Sequence, residues 1–182
     1  MNLPNKLTIL RVIMIPFFLI FMLTDFMGAN SKYIALTLFV IASFTDFLDG
    51  YLARKYKLVT NFGKFMDPLA DKLLVSAALI SFVELQALSA WIVITIISRE
   101  FIISGFRLVA SDNGVVIAAS YWGKFKTVAQ MIMIILLIID IQASYFVILE
   151  NIFIYLALIL TIVSLLDYLI KNKDVLRERS VK

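Results

Sequence analysis

Four aspartates stand where helical spacing gathers them, Asp46 with Asp49 and Asp67 with Asp71, in a chain otherwise apolar enough for a bilayer. On a helix, positions 46, 49, 50 and 53 share one face, and positions 63, 67 and 71 share another at i, i+4 and i+8. If the two helices are neighbours, four carboxylates converge beside Gly50 and Gly63, whose missing side chains leave room for a ligand or a facing backbone. A charge at membrane depth costs about 2.5–3.5 kcal/mol on insertion scales, so these acids need neutralising partners. Divalent cations are the natural candidates. Two such ions about 3.5–4 Å apart stabilise the attacking and leaving oxygens of phosphoryl transfer, and Mg²⁺ or Mn²⁺ prefer all-oxygen donors. Other readings of the same acids are a cation- or proton-coupled transporter, which predicts ion flux without nucleotide release, and, for a single aspartate, a helix cap.

The elements that must position these acids follow from composition. The chain has 182 residues, 62% of them hydrophobic, with 15 Phe and 7 Met; its mean hydropathy is +0.97. Soluble domains hold about 45–50% apolar residues, so this composition specifies an all-α polytopic membrane protein. A span takes about 20 mostly apolar residues, which leaves room for about six transmembrane helices and no separate soluble domain. Residues 1–182 read as one membrane-embedded domain without internal repeats, whereas broken-helix transporters show such repeats. Apolar runs place helices near 7–24, 33–56, 62–83, 88–110, 121–140 and 147–170, with breaks such as Ser111 to Ser120 around Asn113 and Gly114. The chain contains neither Cys nor His, which removes thiolate sites, the usual transition-metal ligand and the commonest general base. Acid–base chemistry falls to carboxylates, Lys or Tyr. The start of the chain, with Pro4 and Lys6 before a long apolar run, lacks a small-residue cleavage site and reads as a retained first span.

Charge orients the bundle. With six spans and both termini cytoplasmic, every Lys and Arg except Lys32 falls on the cytoplasmic side or in cytoplasmic half-helices, while Asp25, Glu84, Asp140 and Glu150 lie opposite. The net charge of +4 and the basic tail from Lys171 suit the anionic inner leaflet of a cytoplasmic membrane, and membrane lipids, not nucleic acid, are the expected partners of that tail. Trp91, Trp122 and Tyr121 read as interfacial anchors. Ala77, Ala78 and Ser81 form a small-residue stretch suggestive of helix association.

The segment Asp46-x-x-Asp49-Gly50-x-x-Ala53-Arg54, then eight residues, then Gly63-x-x-x-Asp67-x-x-x-Asp71 resembles the signature of the CDP-alcohol phosphotransferases, six-helix membrane enzymes that use CDP-linked donors. The resemblance implies a two-cation site, Mg²⁺ or Mn²⁺, with Asp46, Asp49 and Asp67 on one ion and Asp46, Asp67 and Asp71 on the other. It also implies that Asp71 is the catalytic base toward the acceptor hydroxyl, that Gly50, Arg54 and Thr60 contact the CDP moiety, and that the enzyme is a homodimer.

Further segments narrow the resemblance. Pro4-Asn5-x-Leu7-Thr8-x-x-Arg11, Ser98-Arg99-Glu100-Phe101 with Arg107, and Gly123-Lys124-x-Lys126-Thr127 with Gln130 resemble the branch that joins CDP-diacylglycerol to sn-glycerol 3-phosphate. The cations support that acceptor. Arg99 and Arg107 stand about two turns apart on one helix, Lys124 and Lys126 begin the next, and together they can surround a phosphomonoester. Arg99, Arg107 and Lys124 are therefore the expected acceptor-phosphate ligands. Alternatively, Arg107 and the lysines are flanking charges and Arg99 pairs with Glu100 or an Asp. Asn5, Thr8 and Arg11 either reach the nucleotide or cap and anchor the first helix. A sister enzyme acting on inositol phosphate, serine or phosphatidylglycerol is the alternative within the family.

Overall fold

The computed structural model describes residues 2–56, 60–112, 117 and 120–173; within these, the side chains of residues 3, 47, 52–54, 61, 62, 64, 65 and 112 are not described. The expected basic tail beyond residue 173 and the break at Asn113 and Gly114 lie outside the described residues. Six α-helices follow one another: α1 Leu3–Leu23, α2 Ser31–Lys55, α3 Asn61–Glu84, α4 Ala90–Asp112, α5 Tyr121–Ile139 and α6 Ser144–Lys171. There is no strand among the described residues.

Local chemistry sets the boundaries. The side chain of Asn2 caps α1 by accepting from the backbone N–H of Asn5 at 3.2 Å, and Pro4 sits in the first turn, where its missing N–H is harmless. A single 3₁₀ turn, Gly28–Asn30, leads into α2, with Gly28 in the left-handed region at φ 58°. Thr60 caps α3 by accepting from Gly63 N at 3.0 Å. Between α3 and α4, Gln86 adopts φ 58°, and the backbone N–H groups of Ala87 and Leu88 both close onto Phe82 O.

Four helical stretches are long and apolar enough to cross a membrane among the described residues: Pro4–Leu23, Gly28–Tyr51, Tyr121–Ile139 and Ser144–Lys171. The sequence led us to expect six. Helices α3 and α4 are as long, but α3 carries Lys64, Asp67, Asp71 and Lys72, and α4 carries Arg99, Glu100 and Arg107. The residues that suggest chemistry are the ones that dilute these two helices.

The chain forms two compact units, Met1–Leu88 with Leu137–Asp140, and Ser89–Leu136 with Ile141–Lys182. In the first, α1 packs along both α2 and α3, and α2 meets α3 over a shorter stretch. Arg11 pairs with Asp46 and Phe18 with Phe39, so α1 and α2 run antiparallel; Asn5 pairs with Thr60 and Thr8 with Asp67, so α1 and α3 run parallel. The buried stripe of α1 is polar first and apolar later: Asn5, Thr8, Arg11, then Met14 and Phe18. The stripe of α2 has the mirrored order, Ala35, Phe39 and Ala42, then Thr45 and Asp49. Antiparallel packing therefore stacks apolar on apolar at one end, with the Phe18 and Phe39 rings 5.9 Å apart, and polar on polar at the other. Helix α3 contributes Gly63 and Asp67 at the polar end, then Ala70, Leu74, Ala78 and Phe82. Of the small-residue stretch, Ala78 and Ser81 are buried within the chain and Ala77 is half-buried.

In the second unit, α4 packs on α6. Arg99 pairs with Ser164 and Phe106 with Tyr168, which makes the two helices parallel.

Candidate active site

The polar end of the first unit is built around two side chains of α1. Arg11 is fully buried. It donates through Nη1 to Asp46 Oδ1 at 2.6 Å, through Nη2 to Asp49 Oδ2, and through Nε to the carbonyl of Ala42 at 3.2 Å. A planar guanidinium can serve two carboxylates and a carbonyl at once because its donors form a fixed fork. One turn earlier, the Thr8 hydroxyl lies 2.5 Å from Asp67 Oδ1 and 3.2 Å from Pro4 O. It has one proton, and the shorter approach to a charged acceptor makes Asp67 the preferred partner.

A second cluster surrounds the start of α3. The Thr60 hydroxyl donates to Asn5 Oδ1 at 2.9 Å while accepting from Gly63 N. A Cβ on Gly63 would stand 3.2 Å from Asn5 Oδ1, 3.3 Å from Thr60 Oγ1 and 3.4 Å from Asp67 Oδ2. A side chain at this position would be crowded by all three. Asp67 is close enough to Asp46 and Asp49 for its charge to bear on both. Three of the four acids thus share one polar region, held together through α1. Asp71 is exposed one turn beyond Asp67, and Gly50 is half-buried beside Asp49. The side chain of Arg54 lies outside the described ones. Among the described residues, no three acidic side chains form a ready-made metal-holding group.

Sequence reasoning left Asn5, Thr8 and Arg11 between nucleotide contact and helix anchoring. The cap of α1 is Asn2, and each of the three is bonded to a residue of α2 or of the start of α3: Asn5 to Thr60, Thr8 to Asp67, and Arg11 to Asp46 and Asp49. Their spacing at 5, 8 and 11, one polar residue per turn in an apolar helix, was the available signal.

The second unit carries a cationic cluster. Arg99 donates through Nη1 to Glu100 Oε1 at 3.1 Å and through Nε to Ser164 Oγ at 3.1 Å. Lys126, only 2% exposed, also pairs with Glu100 Oε1. Gly123 makes space, since a Cβ there would lie 3.3 Å from Arg99 Nη2. Arg107 is exposed further along α4. Lys124 is exposed too, its Nζ 5.3 Å from the centre of the Tyr121 ring, a cation–π arrangement at the surface. Of the three expected acceptor ligands, Arg99 belongs to the buried cluster and Lys124 does not. Lys126 does, and its membership was legible: 126, 130, 133 and 134 form one buried stripe of α5, which 124 misses.

Residues 1–163 match the family model described as CDP-alcohol phosphatidyltransferase. A protein of Bacillus subtilis named CDP-diacylglycerol–glycerol-3-phosphate 3-phosphatidyltransferase is 47% identical over 191 residues, covering 97% of each chain. A protein of the same name from Haemophilus influenzae is 47% identical over 173 residues, 92% of this chain and 91% of its own. A probable phosphatidylglycerophosphate synthase of Mycobacterium tuberculosis is 37% identical over 171 residues, 92% of this chain and 79% of its own. With the aspartate segments held in one polar region and this agreement along nearly the whole length, the chain belongs to the CDP-alcohol phosphatidyltransferase family.

Proposed function

We propose that this protein transfers the phosphatidyl group of CDP-diacylglycerol to sn-glycerol 3-phosphate, giving phosphatidylglycerophosphate and CMP. The observation that carries the reading is the near-full-length identity to proteins named for that reaction. The acceptor draws separate support from Arg99 and Lys126, two cations gathered at Glu100, with Arg107 about two turns beyond Arg99 on α4; such a set suits a phosphomonoester and has no counterpart in a phosphate-free acceptor.

Divalent cations suit the donor set. Asp46, Asp49, Asp67 and Asp71 offer oxygen alone, and the chain has no His or Cys to favour a softer metal. These four aspartates would hold two ions, Mg²⁺ or Mn²⁺, whose charge would offset that of the diphosphate and of the departing CMP.

The remaining work belongs to the chain. Arg11 keeps Asp46 and Asp49 in place, and Thr8 fixes the orientation of Asp67. Gly50, Arg54 and Thr60 are assigned to the CDP moiety by resemblance to the family, and the acyl chains stay in lipid. Arg99, Arg107 and Lys126 hold the acceptor's phosphate. Asp71, exposed on α3, takes the proton from the acceptor's primary hydroxyl, whose oxygen attacks the phosphorus bearing diacylglycerol. Catalysis on this account is chiefly positional and electrostatic. All six helices span the cytoplasmic membrane as one domain, both termini face the cytoplasm, and the enzyme is a homodimer.

Purified protein incubated with CDP-diacylglycerol, Mg²⁺ and sn-glycerol 3-phosphate should release CMP and form phosphatidylglycerophosphate. CMP release only with inositol phosphate, serine or phosphatidylglycerol would assign a different acceptor. Ion flux with no nucleotide released would refute the enzyme reading altogether.

A further inference from the structure

Tyr168, on α6, is 3% exposed, and its hydroxyl has no hydrogen-bond partner among the described residues. Its ring stands edge-on to Phe106, with centroids 6.1 Å apart and planes at 82°. That contact needs the ring alone. Phenylalanine would supply it without burying a polar atom, and an unmet buried hydroxyl weakens a fold. The hydroxyl therefore calls for a ligand.

Its neighbours indicate which kind. Tyr168 lies close enough to Arg99 and Arg107 to feel both guanidinium charges. Ser164, one turn earlier on the same face of α6, is bonded to Arg99 Nε. Helical side chains lean toward the N-terminus of their helix, which carries the Tyr168 ring back toward the level of Ser164 and Arg99. A phenol donor beside two guanidinium groups has the makings of an anion site, with three different donors for three oxygens.

We propose that Tyr168 is a further ligand of the acceptor, its hydroxyl donating to a phosphate oxygen of sn-glycerol 3-phosphate held by Arg99 and Arg107. This inference rests on the reading of the second unit as the acceptor-phosphate site. It adds a residue of α6 to a site that the sequence confined to α4 and α5.

The test is the full-length chain in lipid nanodiscs, with wild type, Tyr168→Phe and Arg107→Ala assayed against both substrates. Tyr168→Phe should raise KM for sn-glycerol 3-phosphate about tenfold or more, the range for a lost hydrogen bond to a charged group, and leave KM for CDP-diacylglycerol unchanged. Without substrate it should melt no lower than wild type, since it removes an unmet polar atom. The stabilisation that added sn-glycerol 3-phosphate gives the wild type should shrink. If Arg107→Ala raises the acceptor KM and Tyr168→Phe stays within about twofold of wild type, the tyrosine proposal fails and the site reading stands. If neither variant moves the acceptor KM, both fail. An equal loss against both substrates, with a lower melting temperature, marks the hydroxyl as structural and also overturns the proposal.

Discussion

Arg11 of α1 and Asp49 of α2 form an ion pair in which both partners are almost completely buried, at 0% and 1% exposure. The same guanidinium holds Asp46. Removing one member of such a pair leaves a stranded charge, which typically destabilises by about 3–5 kcal/mol. Arg11→Met should therefore lower the unfolding free energy by about that amount, and Arg11→Met with Asp49→Asn should recover part of it. Unfolding in mild detergent measures both. Strictly additive losses would show that the two residues are not coupled.

Thr8→Val keeps the shape of the side chain and removes the donor to Asp67. If Asp67 is a cation ligand, losing the group that orients it should raise the Mn²⁺ concentration for half-maximal activity by about 10- to 100-fold, while Thr8→Ser stays near wild type. A Mn²⁺ titration of initial rates decides the point. An unchanged requirement in Thr8→Val separates Asp67 from the cation site.

Gly63→Ala sets a methyl against three short polar side chains that are each already bonded, Asn5 to Thr60, Thr60 to Gly63 N and Asp67 to Thr8, so none can give way cheaply. Turnover should fall by about tenfold to 100-fold, the scale of a small displacement at a reacting centre. Gly105→Ala on α4 meets nothing within 4 Å and should leave turnover intact. Equal effects of the two substitutions would show that helix propensity, and not crowding at Asp67, governs the loss.

Lys126 and Lys124 are two residues apart and should behave differently. Lys126→Ala removes one of the two cations bonded to Glu100 Oε1 and should cost about 1.5–3 kcal/mol of stability, the range for a hydrogen bond to a charged group, along with acceptor affinity. Lys124→Ala removes a surface cation over Tyr121, worth about 0.5–1 kcal/mol. Melting curves and the KM for sn-glycerol 3-phosphate, measured side by side, test the ranking; a larger effect at Lys124 would reverse the assignment.

Helix positions were legible because apolar runs and their polar breaks are local properties: the expected span at 62–83 is α3 at Asn61–Glu84, and that at 121–140 is α5 at Tyr121–Ile139. The nearness of Gly63 to Asp67 was legible from their helical spacing. The part played by α1 was not. Spacing within a helix shows which residues share a face, but not which helix that face meets, so Arg11 looked like an anchor and proved to be the partner of Asp46 and Asp49. Tyr168 was hidden for a similar reason. A tyrosine near the end of an apolar helix usually marks the lipid interface, and only its packing on Phe106 near Arg99 sets it apart.

The placement of α1 along both α2 and α3 bears on how the protein is made. Arg11 leaves the ribosome 35 and 38 residues before Asp46 and Asp49, the carboxylates that will neutralise it, and an arginine near a span's centre costs about 2.5–3.5 kcal/mol in lipid. The first helix therefore enters the bilayer with an unmet charge that the rest of its apolar length must outweigh. Lateral capture of the newly inserted second helix relieves it, so these two segments have reason to associate during synthesis, before the third has been translated.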